Sequence, residues 1–171
     1  MTVDHAGHPF DTKKQVYGQA FTLYAFCEYY KACRHETVKE RAIELYTLIE
    51  RFSYDKDREG YFEAFDREWR PLKDLRLSAK DANEKKSMNT HLHVLEAYTN
   101  LYSIWPDEGL HRQITRLINN FLDHIIHPIT YHQVLFLMNI GMPAVPLFLL
   151  GMISKLPGCW QKLPMLFPME N

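Results

Sequence analysis

The chain has 171 residues, of which 46% are hydrophobic and 24% charged, and its formal net charge is −1 at pH 7. This length and composition predict one globular domain and exclude an intrinsically disordered chain. The near-zero charge provides no basic surface, so we expect no nucleic-acid partner. The three cysteines form no C-x-x-C pair, and the first ten residues contain no apolar run typical of a signal peptide. Together these features favour a reducing, cytoplasmic location.

Four helices are predicted in chain order. Thr12 to Arg34 is apolar around most of its circumference, so we expect this helix to be largely buried. Val38 to Phe52 shows a clean amphipathic stripe. Two further helices are predicted from Met88 to Trp105 and from Asp107 to about Ile126, with Pro106 between them. Two consecutive helical hairpins indicate an all-α fold that forms part of an α/α toroid or solenoid.

The stretch between the second and third helices breaks the helical period. The letters SYDKDREGYFEAFDREWRPL contain turn residues followed by aromatic residues, which predicts short extended pieces or a hairpin. A polar, charged loop follows from Arg76 to Lys86. We therefore expect no helix between Asp55 and Pro71.

Near the C-terminus, Val134 to Ile153 carries no charged residue over 20 positions. Such a stretch is long enough to span a bilayer, which leaves a membrane-anchored helical protein as one interpretation. Pro143 and Pro146 lie inside the stretch and argue against a regular membrane helix.

The motif KSMNTHLHVLEAY raises the main functional question. Residues four apart on a helix share a face and residues two apart do not, so Asn89 and His93 point together and His91 points elsewhere. The two histidines therefore cannot hold one metal ion, and we expect no metal site. Glu96 and Asn100 continue the Asn89–His93 stripe. This stripe is either a solvated polar face or the lining of a polar cavity.

If the stripe lines a cavity, His93 could carry a proton at neutral pH. The first turn of the same helix would also offer free N–H groups to a developing anion. Two other candidates are weaker. Tyr17 and Gln19 flank Gly18, where the backbone could approach another group closely or simply pack. Asp81 lies in the charged loop, where solvation is the default interpretation.

Three stretches, YGQAFTLYAFCEYYKA, GYFEAFDREWRPL and KSMNTHLHVLEAYTNLY, closely resemble the N-acylglucosamine 2-epimerase family. Within that family they look most like the branch that acts on cellobiose. The resemblance extends over about Gly7 to Phe136. It implies a partial (α/α)6 barrel, because the chain is less than half as long as a usual member.

The resemblance also implies an activity that needs no redox cofactor. Members epimerise a sugar at C2 of its reducing end through an enediolate, which requires acid/base groups on both faces. The matching positions imply that His93 assists at the sugar oxygens during ring opening, while Asn89, Tyr17 and Asp81 contact the sugar. Gln19 is included on the same helix, and His91 is expected to be structural. The implied partner is a small sugar, either a cellobiose-type disaccharide or an N-acetylhexosamine.

Several residues that the family uses are missing from this chain. Two further histidines that act at C2, one of them in a GHDIEASWLL-like motif, have no match, and neither has a substrate-binding arginine from the N-terminal segment. The resemblance therefore implies a fragment that is truncated at its N-terminus and inactive alone. A non-catalytic α/α carbohydrate-binding or scaffold module is the alternative.

Codon arithmetic predicts an origin for the departure after Phe136. If each codon is read from its third base, the pairs Met138-Asn139 and Met142-Pro143 must encode Glu and Ala, as the family pattern requires. The other determined pairs, Met152-Ile153, Cys159-Trp160 and Trp160-Gln161, give Asp, Leu and Ala, which also agree. We therefore expect residues 1–136 to be epimerase-like and 137–171 to be a frameshifted, non-native tail. A tail of that origin was not shaped for a bilayer, so we expect no membrane partner.

Overall fold

The computed structural model of the protein describes residues 2–127, 129, 137–139 and 142–143. Four α-helices dominate this part of the chain, together with short strands and one π-helical turn. The helices are α1 Val16–Cys33, α2 Glu36–Phe52, α3 Met88–Tyr102 and α4 Glu108–Asn120, and the π-helix Phe121–Ile125 continues α4. The strands are β1 Thr2–Val3, β2 Pro9–Asp11, β3 Lys14–Gln15, β4 Ala64–Phe65, β5 Leu137–Asn139 and β6 Met142–Pro143. They pair antiparallel as β1–β2, β3–β4 and β5–β6.

The four helices form two consecutive hairpins, as the sequence predicted. The connection between α1 and α2 is two residues long, which makes them antiparallel neighbours. Across the hairpins, α1 packs most extensively against α3, while α3 also packs against α4. The two first helices of the hairpins therefore lie side by side, and the other two flank them.

Helix ends differ from the prediction by a few residues. The first helix begins at Val16 rather than Thr12, because Lys14 and Gln15 pair with Phe65 and Ala64 as strands. The third helix ends at Tyr102 rather than Trp105. In α4, the α-helical hydrogen bonding ends at Asn120 and the last turn widens into the π-helix.

The expectation that the first helix is largely buried is wrong for the described part of the chain. Its buried residues form a single stripe, Val16, Ala20, Leu23, Cys27 and Tyr30. Elsewhere on the helix, Phe21 is 50% exposed and Tyr29 is 56% exposed. The reason is that α2 and α3 cover one side of α1, so apolar residues outside the stripe remain uncovered.

The core lies where all four helices meet. α3 contributes most of it and is buried over eleven of its fifteen residues. The amphipathic helices α2 and α4 each add one stripe, including Ile49 from α2 and Ile114 from α4, both fully buried. Each large apolar side chain removed from water in this way stabilises the fold by about 1.5–3 kcal/mol.

The segment between α2 and α3 has no helix from Asp55 to Pro71, as predicted. It opens with a tight turn, in which Glu59 and Gly60 both have positive φ and Tyr54 bridges Tyr61. The chain then forms β4, which pairs with β3 at the start of α1. This pairing fixes the segment against the helices.

Residues 137–171 were predicted to be a frameshifted, non-native tail. Most of these residues lie outside the described part of the chain. Only the backbone of β5 and β6 is described there. Among the described helices, none combines the length and the apolar character that a bilayer crossing requires.

Candidate functional site

His93 stands at the seam between α1 and α3. Its side chain is 11% exposed, and its Nδ1 atom lies 3.0 Å from Oε2 of Glu96, one turn further along α3. The ring of Phe21 lies 4.4 Å from the imidazole between centroids, and that of Tyr17 lies 6.3 Å away. We call Tyr17, Phe21, His93 and Glu96 the His93 cluster. It combines an imidazole, a carboxylate and two aromatic rings.

Asn89 lies one helical turn before His93 and is half-buried. The four-residue spacing places both on the same face of α3, as the sequence predicted. The structure therefore brings His93 of α3 beside Tyr17 of α1, and Asn89 lies on the same face of α3 one turn before His93.

The N-terminus of α3 is already occupied by protein groups. Ser87 caps the helix by accepting a hydrogen bond from the Thr90 N–H. The carboxylate of Glu63 accepts from the Ser87 N–H at 2.7 Å and from the Thr90 hydroxyl at 2.9 Å. Burial raises the pKa of Glu63, although these hydrogen bonds act in the opposite direction. The Thr90 N–H is thus occupied by Ser87, and Glu63 places an acidic group at the positive end of the helix.

Asp81 belongs to the loop that leads to α3. Its carboxylate accepts from the Ser78 N–H at 2.8 Å, which closes a local turn. Its charge also contributes to raising the pKa of Glu63. Asp81 is therefore electrostatically coupled to the start of α3, although both of its described hydrogen bonds are local ones with Ser78.

The same loop is tied to the beginning of α1. The Gln15 side chain donates to the carbonyl oxygens of Leu75 and Arg76, and the Lys13 ammonium also donates to Arg76. The Asn83 side chain bridges the loop internally, accepting from the Leu75 N–H and donating to the Lys73 carbonyl. These bonds hold the Asp81 loop against the end of α1 from which Tyr17 projects.

Gln19 is half-buried on α1, two residues after Tyr17. Two residues correspond to about 200° around a helix, so Gln19 lies on a different flank from Tyr17. Between them, Gly18 does not provide a close backbone approach in the described residues, since a Cβ atom placed there would meet nothing within 4 Å. Gln19 is therefore not a member of the His93 cluster.

His91 has a different environment from His93. It is fully buried, its Nε2 accepts from the Tyr61 N–H at 3.0 Å, and its Nδ1 lies 2.7 Å from the Ser87 carbonyl. Because Tyr61 donates to Nε2, the ring proton must be on Nδ1. Burial lowers the pKa of His91 to about 4. His91 is therefore a neutral tether between α3 and the turn before Tyr61.

The polar stripe of α3 continues beyond Glu96 to Asn100. The Asn100 amide donates to Glu28 at 2.8 Å, and its oxygen accepts from the Lys31 ammonium. Lys31 and Glu28 also form an ion pair at 2.9 Å. This half of the stripe therefore forms a hydrogen-bonded network that joins α1 to α3, and it is not a solvated face.

Two contributors to this region were not identified from the sequence as site residues. Glu96 carried a local signal, because it follows His93 by three positions on the same helix. Phe21 carried none, because its contact with His93 depends on how α1 is rotated against α3. Among the described residues, no group of three His, Cys, Asp or Glu side chains could hold a metal ion.

The arrangement suits proton transfer to a polar ligand. One imidazole nitrogen of His93 is held by a carboxylate, so the other remains available for proton transfer. The rings of Phe21 and Tyr17 lie beside it, and aromatic faces suit the apolar faces of a polar ring-shaped ligand. Asn89 adds an amide that can both donate and accept hydrogen bonds.

Comparison with known proteins identifies the family of the chain. A sequence model of the N-acylglucosamine 2-epimerase (GlcNAc 2-epimerase) family matches residues 1–135. The chain is 45% identical over 138 residues to a cellobiose 2-epimerase of Bacteroides fragilis, covering 81% of this chain and 35% of that protein. It is 40% identical over 134 residues to a cellobiose 2-epimerase of Dictyoglomus turgidum, covering 78% and 34%. The chain thus spans about a third of the length of these relatives.

The fold comparison gives the same result. The structure of cellobiose 2-epimerase from Bacillus thermoamylovorans superposes with a TM-score of 0.89 at 33% sequence identity, covering 99% of this chain and 44% of that one. The two helical hairpins are therefore an arc of an (α/α)6 barrel. Because the family model matches residues 1–135 of the 171 in this chain, the chain belongs to the N-acylglucosamine 2-epimerase family.

Proposed function

We propose that this chain carries part of the sugar-binding pocket of a carbohydrate 2-epimerase. In this proposal His93 acts at the sugar oxygens during ring opening, while Asn89, Tyr17 and Asp81 bind the sugar, with Gln19 as a further contact. The observation that supports it most is the His93 cluster, in which an imidazole is held by Glu96 against two aromatic rings, in a chain of this family. The relatives named as cellobiose 2-epimerases support a cellobiose-type disaccharide as substrate ahead of an N-acetylhexosamine.

The complete reaction interconverts glucose-type and mannose-type reducing ends. A base removes the proton at C2 of the open-chain sugar, an enediolate forms, and an acid returns a proton on the opposite face. Each face needs its own acid/base group. His93 can serve one task, whereas His91 has both ring nitrogens engaged by the protein. We therefore propose that the 171 residues alone bind sugar but do not epimerise it.

The proposal extends to the organisation and location of the chain. We place the epimerase-like region at 1–136, supported by the family match over 1–135, and we treat 137–171 as a frameshifted tail. Coding DNA with an open frame that continues the family pattern past the present stop codon would support this origin, and early stop codons in that frame would contradict it. For the location we propose the cytoplasm, because the three cysteines of the sequence form no C-x-x-C pair.

Sugar binding can be tested on the chain itself. Cellobiose, which has a free reducing end, is titrated into the ¹⁵N-histidine-labelled protein, with trehalose, which has none, as the matched ligand. We expect cellobiose to shift the His93 ring signals, and we expect Asn89→Ala to weaken this response, while His35→Ala at an exposed position leaves it unchanged. Equal responses to both sugars, or no response to either, would contradict the proposal and favour a scaffold without a sugar site.

A further inference from the structure

Glu96 is placed to control the state of the His93 imidazole. Its Oε2 lies 3.0 Å from His93 Nδ1, and its side chain is 26% exposed whereas that of His93 is 11% exposed. A carboxylate can only accept a hydrogen bond, so this contact requires the ring proton on Nδ1. In its chemistry the pair is similar to other carboxylate–histidine pairs, in which the carboxylate orients the imidazole by accepting from one ring nitrogen.

The other charged groups near this pair are occupied elsewhere. Glu28 and Lys31 are the charged residues of α1, and they bind each other and Asn100. Burial raises the pKa of Tyr24, also on α1, and the negative charges of Glu28 and Glu96 raise it further. Glu96 therefore brings negative charge to the boundary between α1 and α3. Glu96 is thus the acidic group in direct contact with His93.

The rings on α1 restrict how the imidazole can turn. Phe21 lies against His93 with an interplanar angle of 41°, and Tyr17 lies beyond it. A flip of the ring would exchange Nδ1 for a carbon beside Glu96 and would lose the hydrogen bond in a half-buried site. The hydrogen bond and the aromatic wall therefore favour one orientation and one tautomer.

We propose that Glu96 is a positioning residue that fixes His93 as the Nδ1–H tautomer and leaves Nε2 unprotonated and available to the sugar. This inference rests on the proposed function for its consequence, ring opening. There, Nε2 takes the proton of the anomeric hydroxyl, the bond between C1 and the ring oxygen breaks, and Nε2 returns that proton to the ring oxygen. Between these steps the imidazole is positively charged, and the Glu96 carboxylate stabilises that charge.

The tautomer can be read directly from long-range ¹H–¹⁵N spectra of the ¹⁵N-histidine-labelled chain at pH 8, above the usual imidazole pKa of about 6.5. We expect the Nδ1–H pattern for His93 in the unmodified chain. Glu96→Met removes the acceptor with an unbranched side chain that suits a helix, and we expect loss of this pattern. Glu96→Gln keeps an acceptor oxygen, and we expect the pattern to return.

His91 provides an internal control for folding in every spectrum. It has the Nδ1–H tautomer because Ser87 and Tyr61 hold its two nitrogens, independently of Glu96. An Nε2–H pattern for His93 in the unmodified chain with His91 intact would overturn the proposal, and this reading needs no variant to fold. An unchanged His93 pattern in Glu96→Met would also overturn it.

Adding cellobiose separates this inference from the proposed function. If Glu96 sets the tautomer but cellobiose leaves His93 Nε2 unchanged, the sugar site fails and the positioning contact stands. If cellobiose shifts Nε2 equally in the unmodified chain and in Glu96→Met, the sugar site stands and the positioning role fails.

Discussion

The Nε2 atom of His91 lies where a side chain on Gly60 would have to be: a Cβ atom built on Gly60 would be 2.5 Å from it. Gly60 also has a φ of +76°, a backbone conformation that disfavours residues with a Cβ atom. The ring cannot move aside, because the Ser87 carbonyl and the Tyr61 N–H hold it at both nitrogens. The turn before Tyr61 and helix α3 are thus fitted to each other through one glycine and one histidine.

Gly60→Ala should therefore destabilise the protein by about 3 kcal/mol, the combined scale of backbone strain and overpacking. Urea unfolding measures this loss. Gly7→Ala is the matched control, since Gly7 has a φ of +85° but a Cβ atom there would meet nothing within 4 Å. A loss at Gly60 no larger than that at Gly7 would show that the contact with His91 contributes nothing.

His91 should also make stability depend on pH. Burial lowers its pKa from 6.5 to about 4, so the unfolded chain binds a proton more readily than the folded one between these values. The free energy of unfolding is therefore not reduced by His91 above pH 6.5, and it falls as the pH drops toward 4, by roughly 3 kcal/mol in total. Urea unfolding across this range measures it.

Glu50 and Glu63 oppose this trend. Burial raises the pKa of both, so their contribution to stability falls as the pH rises and recovers on acidification. The comparison with His91→Gln removes this background, because the variant keeps both carboxyl groups while losing the titrating ring. We expect the variant to have a shallower loss of stability between pH 6.5 and 4. Parallel pH profiles for the two proteins would contradict the assignment of a neutral buried His91.

Glu63 should stabilise the start of α3. Glu63→Leu leaves the Ser87 N–H without its acceptor and removes the partner of the Thr90 hydroxyl, which should cost about 2 kcal/mol in the free energy of unfolding. Glu63→Gln keeps an acceptor oxygen and should cost less than about 1 kcal/mol. Glu68→Leu is the control, because Glu68 makes an exposed ion pair with Arg70 that contributes little. Equal effects of Glu63→Leu and Glu68→Leu would refute the capping role.

These contacts show which parts of the fold the sequence could predict. Helices α2 and α4 were predicted because their apolar residues recur at helical spacing, a local property that packing then preserves. The Tyr61–His91 and Glu63–Ser87 bonds join residues far apart along the chain, and no local pattern names such partners. The start of α1 was misplaced for the same reason, because its first residues form a strand with a partner some 50 positions away.

The candidate site likewise has a part that the sequence could predict and a part that it could not. Helical spacing placed Asn89 and His93 on one face and His91 on another, and the contacts of both histidines agree. The position of Tyr17 and Phe21 beside His93 depends on how α1 and α3 are rotated against each other. That rotation follows from packing of the whole core, which a sequence pattern does not contain.

The last prediction concerns activity of the chain as it stands. Incubated with cellobiose in deuterated water, the 171-residue protein should incorporate no deuterium at C2 above a control without protein, because exchange needs a base that acts at C2. His91 is neutral, buried and bonded at both ring nitrogens, and His93 is assigned to the sugar oxygens. Binding without exchange is the expected combination, with cellobiose shifting the His93 signals in the same sample. Exchange that disappears in His93→Ala but persists in His35→Ala would show instead that His93 reaches C2, and the assignment of His93 to ring opening would then be wrong.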